Sequence, residues 1–149
     1  MNEIDVVGGK ALGYFNAGHN CAQSVLLAMA DHWNVKNELI PKIAAPFGGG
    51  IGRYGSVCGA LTGAAMALGL KYGTNEPSAE KRQEAYERAR ALCQQFKRNH
   101  GSILCRDLIG YDLSNPEEME KARRNNTFRE KCDKYVKSAV EILLKTDDH

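Results

Sequence analysis

Apolar residues recur every three or four positions along most of the chain, which is the period of an amphipathic helix. The pattern predicts main helices over about 3–15, 21–33, 57–72, 77–99 and 127–145, with short helices within 34–47, 103–110 and 114–122. No stretch alternates apolar and polar residues with the β-branched types that favour strands. We therefore expect an all-α fold, a compact bundle of about five main helices in a single domain over residues 1–149.

The helix predicted over 57–72 differs from the others because nearly all of its surface is apolar. A helix of that kind is buried, so we expect it at the centre of the bundle. Gly59, Gly63 and Ala67 recur at intervals of four, and rows of small residues let neighbouring helices approach closely. The same surfaces would suit close packing between two copies of the chain, so we consider a homodimer.

A glycine-rich segment, residues 48–55, leads into this central helix. A Walker loop needs a lysine followed by serine or threonine after its last glycine, and a dinucleotide-binding loop needs a preceding strand. The segment has no such lysine, and Pro41 and Pro46 make a strand before it unfavourable. We expect instead a tight loop with backbone conformations that favour glycine.

The charge balance and the apolar runs exclude some classes of partner. The chain carries 20 basic and 18 acidic side chains, a balance too even for nucleic acid to be the main partner. Its longest apolar run lies within residues 60–70, about half of what spans a bilayer, so we expect no membrane insertion. The N-terminus lacks the basic and apolar regions of a signal peptide, and we expect a cytoplasmic protein.

Three of the five cysteines fall in predicted first turns of helices. Cys21, Cys58 and Cys105 follow the candidate N-caps Asn20, Ser56 and Ser102. Backbone N–H groups and the helix dipole stabilise an anion there, so we expect a lowered thiol pKa. Arg53 and Arg106 would add positive charge near Cys58 and Cys105.

The other two cysteines lie on apolar helix faces. Cys93 is in the middle of the stripe of the fourth main helix, which indicates a core residue. For Cys132, burial alone and a functional role explain its position equally well. The chain has no C-x-x-C pair, so neither a thioredoxin-type dithiol nor a zinc knuckle is indicated. Any joint site must be assembled by the fold.

The flanks of four cysteines carry a family resemblance. The segments are HNCAQSVL, VCGALTGAAMALGL, FKRNHGSILCRDLIG and REKCDKYVKSAVEILL. Their order resembles the C_GCAxxG_C_C family of redox-active proteins, which have four characteristic cysteines and a CGAxxG motif. By position these cysteines correspond to Cys21, Cys58, Cys105 and Cys132, and the motif glycines to Gly59 and Gly63. The resemblance implies a redox role, makes Cys132 a site residue and leaves Cys93 outside.

Thiol–disulfide chemistry is the first hypothesis for these cysteines. Cys58 is the candidate attacking thiolate because it combines a helix start, an open glycine segment and Arg53. Cys21 is its expected partner, and Cys105 with Cys132 would form a second pair. The protein would then be a thiol–disulfide oxidoreductase with an unknown redox partner.

Two other hypotheses come from different classes. Four thiolates that converge would suit zinc or an iron–sulfur cluster, with His19 and His100 as further candidate ligands. Alternatively, the protein has no enzymatic activity and serves as an accessory protein for a transporter, since members of the family it resembles are often encoded beside transporters.

Overall fold

The computed structural model describes residues 2–147, which form helices and no β-strand. The α-helices are α1 Glu3–Asn16, α2 Cys21–His32, α3 Gly59–Tyr72, α4 Ala79–His100, α5 Cys105–Ile109, α6 Pro116–Arg124 and α7 Asp133–Lys145. A 3₁₀-helix covers Lys42–Phe47, and a turn of π-helix over Phe128–Cys132 leads directly into α7. The prediction of an all-α fold is confirmed.

Several helix ends follow capping residues that are visible in the sequence. The Asn20 side chain accepts a hydrogen bond from the backbone N–H of Gln23, and the Gln23 side chain accepts one from the backbone N–H of Asn20. This reciprocal pair satisfies two donors that the start of α2 would leave open. Ser78 caps α4 by accepting from the N–H of Lys81. That helix ends at Gly101, whose φ of 87° is the left-handed conformation common at helix ends.

The apolar helix α3 lies at the centre, packed against α2, α4 and α7. Seven of its fourteen residues are buried, and a fully buried leucine such as Leu61 stabilises the fold by about 2 kcal/mol. Helix α7 packs in turn on α1, α2, α3 and α4, so these five helices form the bundle. None of the helices within residues 2–147 is both long and apolar enough to cross a membrane.

Helices α2 and α3 run parallel to each other and in close contact. Near their starts, a Cβ on Gly63 would lie only 2.4 Å from the carbonyl oxygen of Ala22. Near their ends, the ammonium group of Lys71 lies 5.2 Å from the centroid of the Trp33 ring. The contact between Gly63 and Ala22 is too close for any side chain at position 63. This close approach explains why small residues recur along α3.

Two of the predicted N-caps are wrong for a common reason. Residues 55–58 pair with residues 103–106 in a short antiparallel contact. This pairing uses the backbone groups that a helix start would use, so α3 begins at Gly59, two residues later than predicted. Ser56 and Ser102 therefore lie outside the cap positions of α3 and α5.

Candidate functional site

Four of the five cysteines line one cavity of about 570 Å³, whose wall includes the starts of α2 and α3. They are Cys21, Cys58, Cys105 and Cys132, and we call this space the thiol cavity. Each comes from a different segment: the first residue of α2, the residue before α3, the first residue of α5 and the last residue of the π-helical turn. Cys93 lies in the middle of α4 and does not line the cavity.

The antiparallel contact holds Cys58 beside Cys105. The N–H of Cys58 donates to the carbonyl oxygen of Ile103 at 2.8 Å, and the N–H of Cys105 donates to that of Ser56 at 2.7 Å. Both cysteines are buried, at 6% and 7% exposure. A Cβ on Gly50 would lie 2.8 Å from the Cβ of Cys105. The glycine-rich segment can therefore cover this pair only because position 50 has no side chain.

The sulfur of Cys21 lies against the first residue of α3. A Cβ on Gly59 would be 2.3 Å from the Cys21 Sγ, far inside van der Waals contact. Gly59 directly follows Cys58, so the missing side chain leaves the space in which the Cys21 thiol sits next to the Cys58 backbone. This gives the Cys-Gly pair of the CGAxxG motif a physical reason.

The glycine-rich segment forms a left-handed turn at the wall of the cavity. Residues 49–53 all have positive φ, between 59° and 75°. Ile51 and Arg53 take this conformation although they are not glycine, and for a β-branched residue such as Ile51 it costs about 1–2 kcal/mol. The surrounding backbone hydrogen bonds hold the turn, among them the bond from the N–H of Arg53 to the carbonyl oxygen of Gly48 at 3.1 Å.

Backbone groups from three segments influence the pKa of the Cys21 thiol. Burial raises this pKa, and hydrogen bonding from the backbone of Gly49, Ala22, Cys21 and Ala60 acts in the opposite direction. They come from the left-handed turn, the start of α2 and the start of α3. The fold therefore supplies this sulfur with the kind of donors that stabilise an anion.

Cys132 reaches the cavity through a departure from regular α-helix. The sequence predicts one continuous helix over 127–145, but Phe128–Cys132 forms a π-helical turn before α7 begins. Such turns insert an extra residue and are frequent at functional sites. Next to Cys132, the Lys131 ammonium donates to the carbonyl oxygen of Ile109 at 3.3 Å, which ties the turn to α5.

The pKa of each thiol in the cavity is raised, contrary to the expectation that helix starts would lower it. Burial is the largest cause for all four cysteines. Burial and the charge of a Cys21 thiolate raise the pKa of Cys105 to about 12 and hold that of Cys58 well above its usual value. Backbone hydrogen bonding to Cys21 opposes this effect without overcoming it. At neutral pH the cavity therefore holds four protonated thiols.

The two arginines expected near the thiols lie in different places. Arg53 lines the thiol cavity. Arg106 points away from it: its side chain is 56% exposed, lies 3.9 Å from the carboxylate of Asp112 and donates to the carbonyl oxygen of Tyr54 at 3.4 Å. The position of Arg106 next to Cys105 in the sequence does not bring its charge into the cavity.

The possible metal ligands do not form a ready metal site among the residues that the structure describes. Within residues 2–147, no three His, Cys, Asp or Glu side chains are close enough together to hold a metal ion. All five cysteines are free thiols. Of the two histidines expected as further ligands, His19 stacks edge-on against Tyr14 and His100 shares a hydrogen bond of 2.8 Å with Ser138. Neither histidine lines the cavity.

Sequence reasoning missed several residues of the cavity. Tyr135 and Phe128 flank Cys132 in the chain, and Met119 and Arg123 come from α6. Tyr135 follows Cys132 by three residues on the same apolar face, a spacing that could have indicated it. Its hydroxyl donates to the carbonyl oxygen of Leu108 at 2.8 Å. Nothing in the polar segment around Arg123 indicated that it would face the cysteines.

Residues 19–146 match the family described as "Putative redox-active protein (C_GCAxxG_C_C)". The chain belongs to this family. A relative from Archaeoglobus fulgidus, named "Uncharacterized protein", is 30% identical over 154 residues, which cover 97% of this chain and 95% of the relative. No solved structure matches the chain. The family resemblance read from the four cysteines is confirmed.

Proposed function

We propose that the protein carries out thiol–disulfide exchange in the thiol cavity. The observation that carries this proposal is that the four cysteines of the family pattern line one cavity while the fifth cysteine lies outside it. All four are free thiols. In the overall reaction, two protein thiols and one disulfide give one protein disulfide and two free thiols.

Cys21 and Cys58 form the first reacting pair. The Cys21 sulfur lies against Gly59, the neighbour of Cys58, and no Cβ stands between the two segments. We assign the attack to Cys21 because its side chain is partly exposed, whereas Cys58 is buried, and because backbone hydrogen bonding opposes the effect of burial on the pKa of Cys21. Cys58 then attacks the mixed disulfide and closes the protein disulfide. This exchanges the two roles that the sequence suggested.

Cys105 and Cys132 form the second pair. Both line the same cavity, and the π-helical turn that ends at Cys132 packs against α5, which begins at Cys105. A disulfide formed at the first pair can pass to them by a further exchange, in which one protein disulfide is replaced by another.

Redox equilibration with alkylation tests the proposal. The wild type, Cys21→Ser, Cys58→Ser and the control Cys93→Ser are equilibrated in mixtures of reduced and oxidised dithiothreitol, alkylated and mapped by mass spectrometry. We expect a disulfide between Cys21 and Cys58 in the wild type. Cys93→Ser should form it at the same ratio of oxidised to reduced dithiothreitol, and Cys21→Ser and Cys58→Ser should not form it. Absence of any disulfide among the cavity cysteines at every ratio would show the proposal to be wrong.

A metal ion or iron–sulfur cluster bound by the same thiolates is the second candidate. Four soft ligands line one cavity, and their negative charges would repel one another without a cation. The side chains would have to move closer together, since the described residues contain no ready metal site. Purification without air, with zinc and iron analysis and a visible spectrum, tests this. Bound metal in the wild type and in Cys93→Ser, but not in Cys58→Ser, is the expected result; a colourless, metal-free wild type contradicts it.

A further inference from the structure

The charged side chains at the thiol cavity are all positive. Among the described residues that line it, none is Asp or Glu and two are arginine, Arg53 and Arg123. Helices α2 and α3 begin there, and helix starts add partial positive charge. The whole chain is almost balanced in charge, with 20 basic and 18 acidic residues. The positive lining is therefore a local feature of the cavity.

Both arginines can bind an anion. Within residues 2–147, Arg53 makes no ion pair or hydrogen bond through its side chain. The guanidinium of Arg123 lies 4.0 Å from the carboxylate of Glu120, and both side chains are more than half exposed. A pair of that length and exposure contributes little. A carboxylate from a ligand would meet weak competition at either arginine.

The charges and the sulfurs lie at different depths. Arg53 and Arg123 are exposed, whereas Cys58 and Cys105 are buried. Much of the remaining lining is apolar, with Phe15, Leu108, Ile109, Leu113, Met119 and Phe128 among its members. The volume of about 570 Å³ is within the range of small-molecule sites. The cavity thus suits a small molecule with acidic groups outside and an apolar centre inside.

We propose that the thiol cavity takes a small-molecule disulfide that carries carboxylate groups, with Arg53 and Arg123 binding the carboxylates. This inference rests on the proposed thiol–disulfide exchange. The Cys21 sulfur attacks one ligand sulfur, the ligand S–S bond breaks, and one half of the ligand leaves as a thiol with the proton from Cys21. Cys58 then attacks the Cys21 sulfur, and the second half leaves as a thiol with the proton from Cys58.

Three disulfides of matched length and different charge test the substrate class. They are 3,3′-dithiodipropionate, bis(2-hydroxyethyl) disulfide and cystamine, which are anionic, neutral and cationic at pH 7. The rate of reaction with the reduced protein is followed by mass spectrometry and divided by the rate of the same disulfide with dithiothreitol. We expect the anion to react about tenfold faster than the cation, the effect of two exposed ion pairs, and high salt to reduce the difference. Equal rates, or a faster cation, would overturn the inference.

Variants of the arginines assign the effect to the cavity. In the double variant Arg53→Gln, Arg123→Gln the preference for the anion should disappear. Arg124→Gln is the matched control, because Arg124 is the exposed neighbour of Arg123 and does not line the cavity. If Arg124→Gln removes the preference and the double variant keeps it, the cavity is not the binding site.

A ligand without sulfur separates this inference from the proposed function. Suberate has the length and charge of 3,3′-dithiodipropionate but no S–S bond, and its binding is measured by calorimetry. Binding that needs Arg53 and Arg123, without any disulfide formation from the sulfur compound, supports the anion site and contradicts the redox proposal. Disulfide formation without suberate binding or charge preference supports the redox proposal and contradicts the anion site.

Discussion

The two ends of the parallel helices α2 and α3 are built in opposite ways. At their starts, glycines let the backbones approach, and four thiols line an open cavity. At their ends, the side chains of Trp33, Lys71 and Tyr72 all donate hydrogen bonds to the carboxylate of Asp147, whose side chain is 2% exposed. At the helix ends the polar side chains bind one another, whereas at the helix starts the thiols line a cavity.

This difference indicates that one end of the helix pair stabilises the fold and that the other end carries the reactive thiols. A buried carboxylate that accepts from three donors stabilises the fold because its charge is compensated. The cavity thiols lack such compensation and stay protonated at neutral pH, and they remain available for exchange with a ligand. Substitutions at the end with Asp147 should therefore change stability without changing the thiols, and substitutions at the thiol cavity should change the thiols.

Slow alkylation of Cys105 is the largest effect that we expect. Burial and the charge of Cys21 raise the pKa of Cys105 from 9.0 to about 12, so at pH 8 its thiolate fraction falls by roughly a thousandfold. Iodoacetamide labelling at pH 8, followed by peptide mass spectrometry, should show slowing of that order relative to the urea-unfolded chain. Cys93, on α4 outside the cavity, is the internal control and should be protected less. Labelling of Cys105 at the unfolded rate would contradict the described burial.

Gly63→Ala should destabilise the starts of α2 and α3. The added Cβ would lie 2.4 Å from the carbonyl oxygen and 2.9 Å from the Cα of Ala22, and backbone cannot move aside as a side chain can. We expect a loss of about 3 kcal/mol in the free energy of unfolding, measured with urea.

Gly69→Ala is the control on the same helix. A Cβ on Gly69 would have no neighbour within 4 Å, so alanine should raise the free energy of unfolding by up to about 1 kcal/mol through its helix propensity. Equal shifts in Gly63→Ala and Gly69→Ala would mean that the close contact with Ala22 is not what position 63 requires.

Asp147→Asn tests the contribution of the ends of α2 and α3, where Asp147 accepts its three hydrogen bonds. The variant keeps the shape of the side chain but loses the charge that Trp33, Lys71 and Tyr72 contact, and we expect a loss of about 2 kcal/mol in the free energy of unfolding. The alkylation rates of the cavity cysteines below the unfolding transition should not change. A stable variant with faster Cys58 labelling would contradict the separation of the two ends.

The pH dependence of this effect follows from the pKa of Asp147. Burial pushes that pKa upwards, but the hydrogen bonds from Lys71, Tyr72 and Trp33 outweigh burial and hold it below 3.8. Because the folded-state pKa lies below the unfolded-state value, the contribution is complete above about pH 4 and is lost as the pH falls through the folded-state pKa. The difference in stability between wild type and Asp147→Asn should therefore be constant near neutrality and shrink in acid. A difference that grows below pH 4 would contradict this sign.

Gly59→Ala should destabilise the fold less than Gly63→Ala does and should have a specific effect on one thiol. The new Cβ would meet the Cys21 sulfur at 2.3 Å, which can rotate away, and the backbone oxygen of Phe47 and nitrogen of Ala22 at 3.1 and 3.3 Å, which need to shift by only a few tenths of an ångström. We expect a loss of about 1 kcal/mol in the free energy of unfolding, with Cys21 labelled faster than in the wild type and Cys93 unchanged. Unchanged labelling of Cys21 would show that Gly59 does not position it.

Much of the fold could be predicted from the sequence because helix signals are local. The period of apolar residues, the caps at Asn20 and Ser78 and the glycine that ends α4 all act within a few residues. The all-round apolar character of α3 was enough to place it at the centre. The flanks of the cysteines were enough to indicate the family and to leave Cys93 outside it.

The parts that sequence reasoning missed depend on contacts between distant segments. The pairing of residues 55–58 with residues 103–106 displaces two predicted caps and holds Cys58 beside Cys105. Burial raises the pKa of the thiols, and it outweighs the helix dipole at the starts of the helices. The helix starts can be predicted from the sequence, but burial depends on the tertiary structure. For the same reason Arg123 faces the cavity and Arg106 does not, although only Arg106 is next to a cysteine in the chain. The sequence by itself determined which residues form helices and which cysteines belong together; the tertiary structure decided how they meet, because solvent exclusion and long-range backbone pairing exist only in the folded chain.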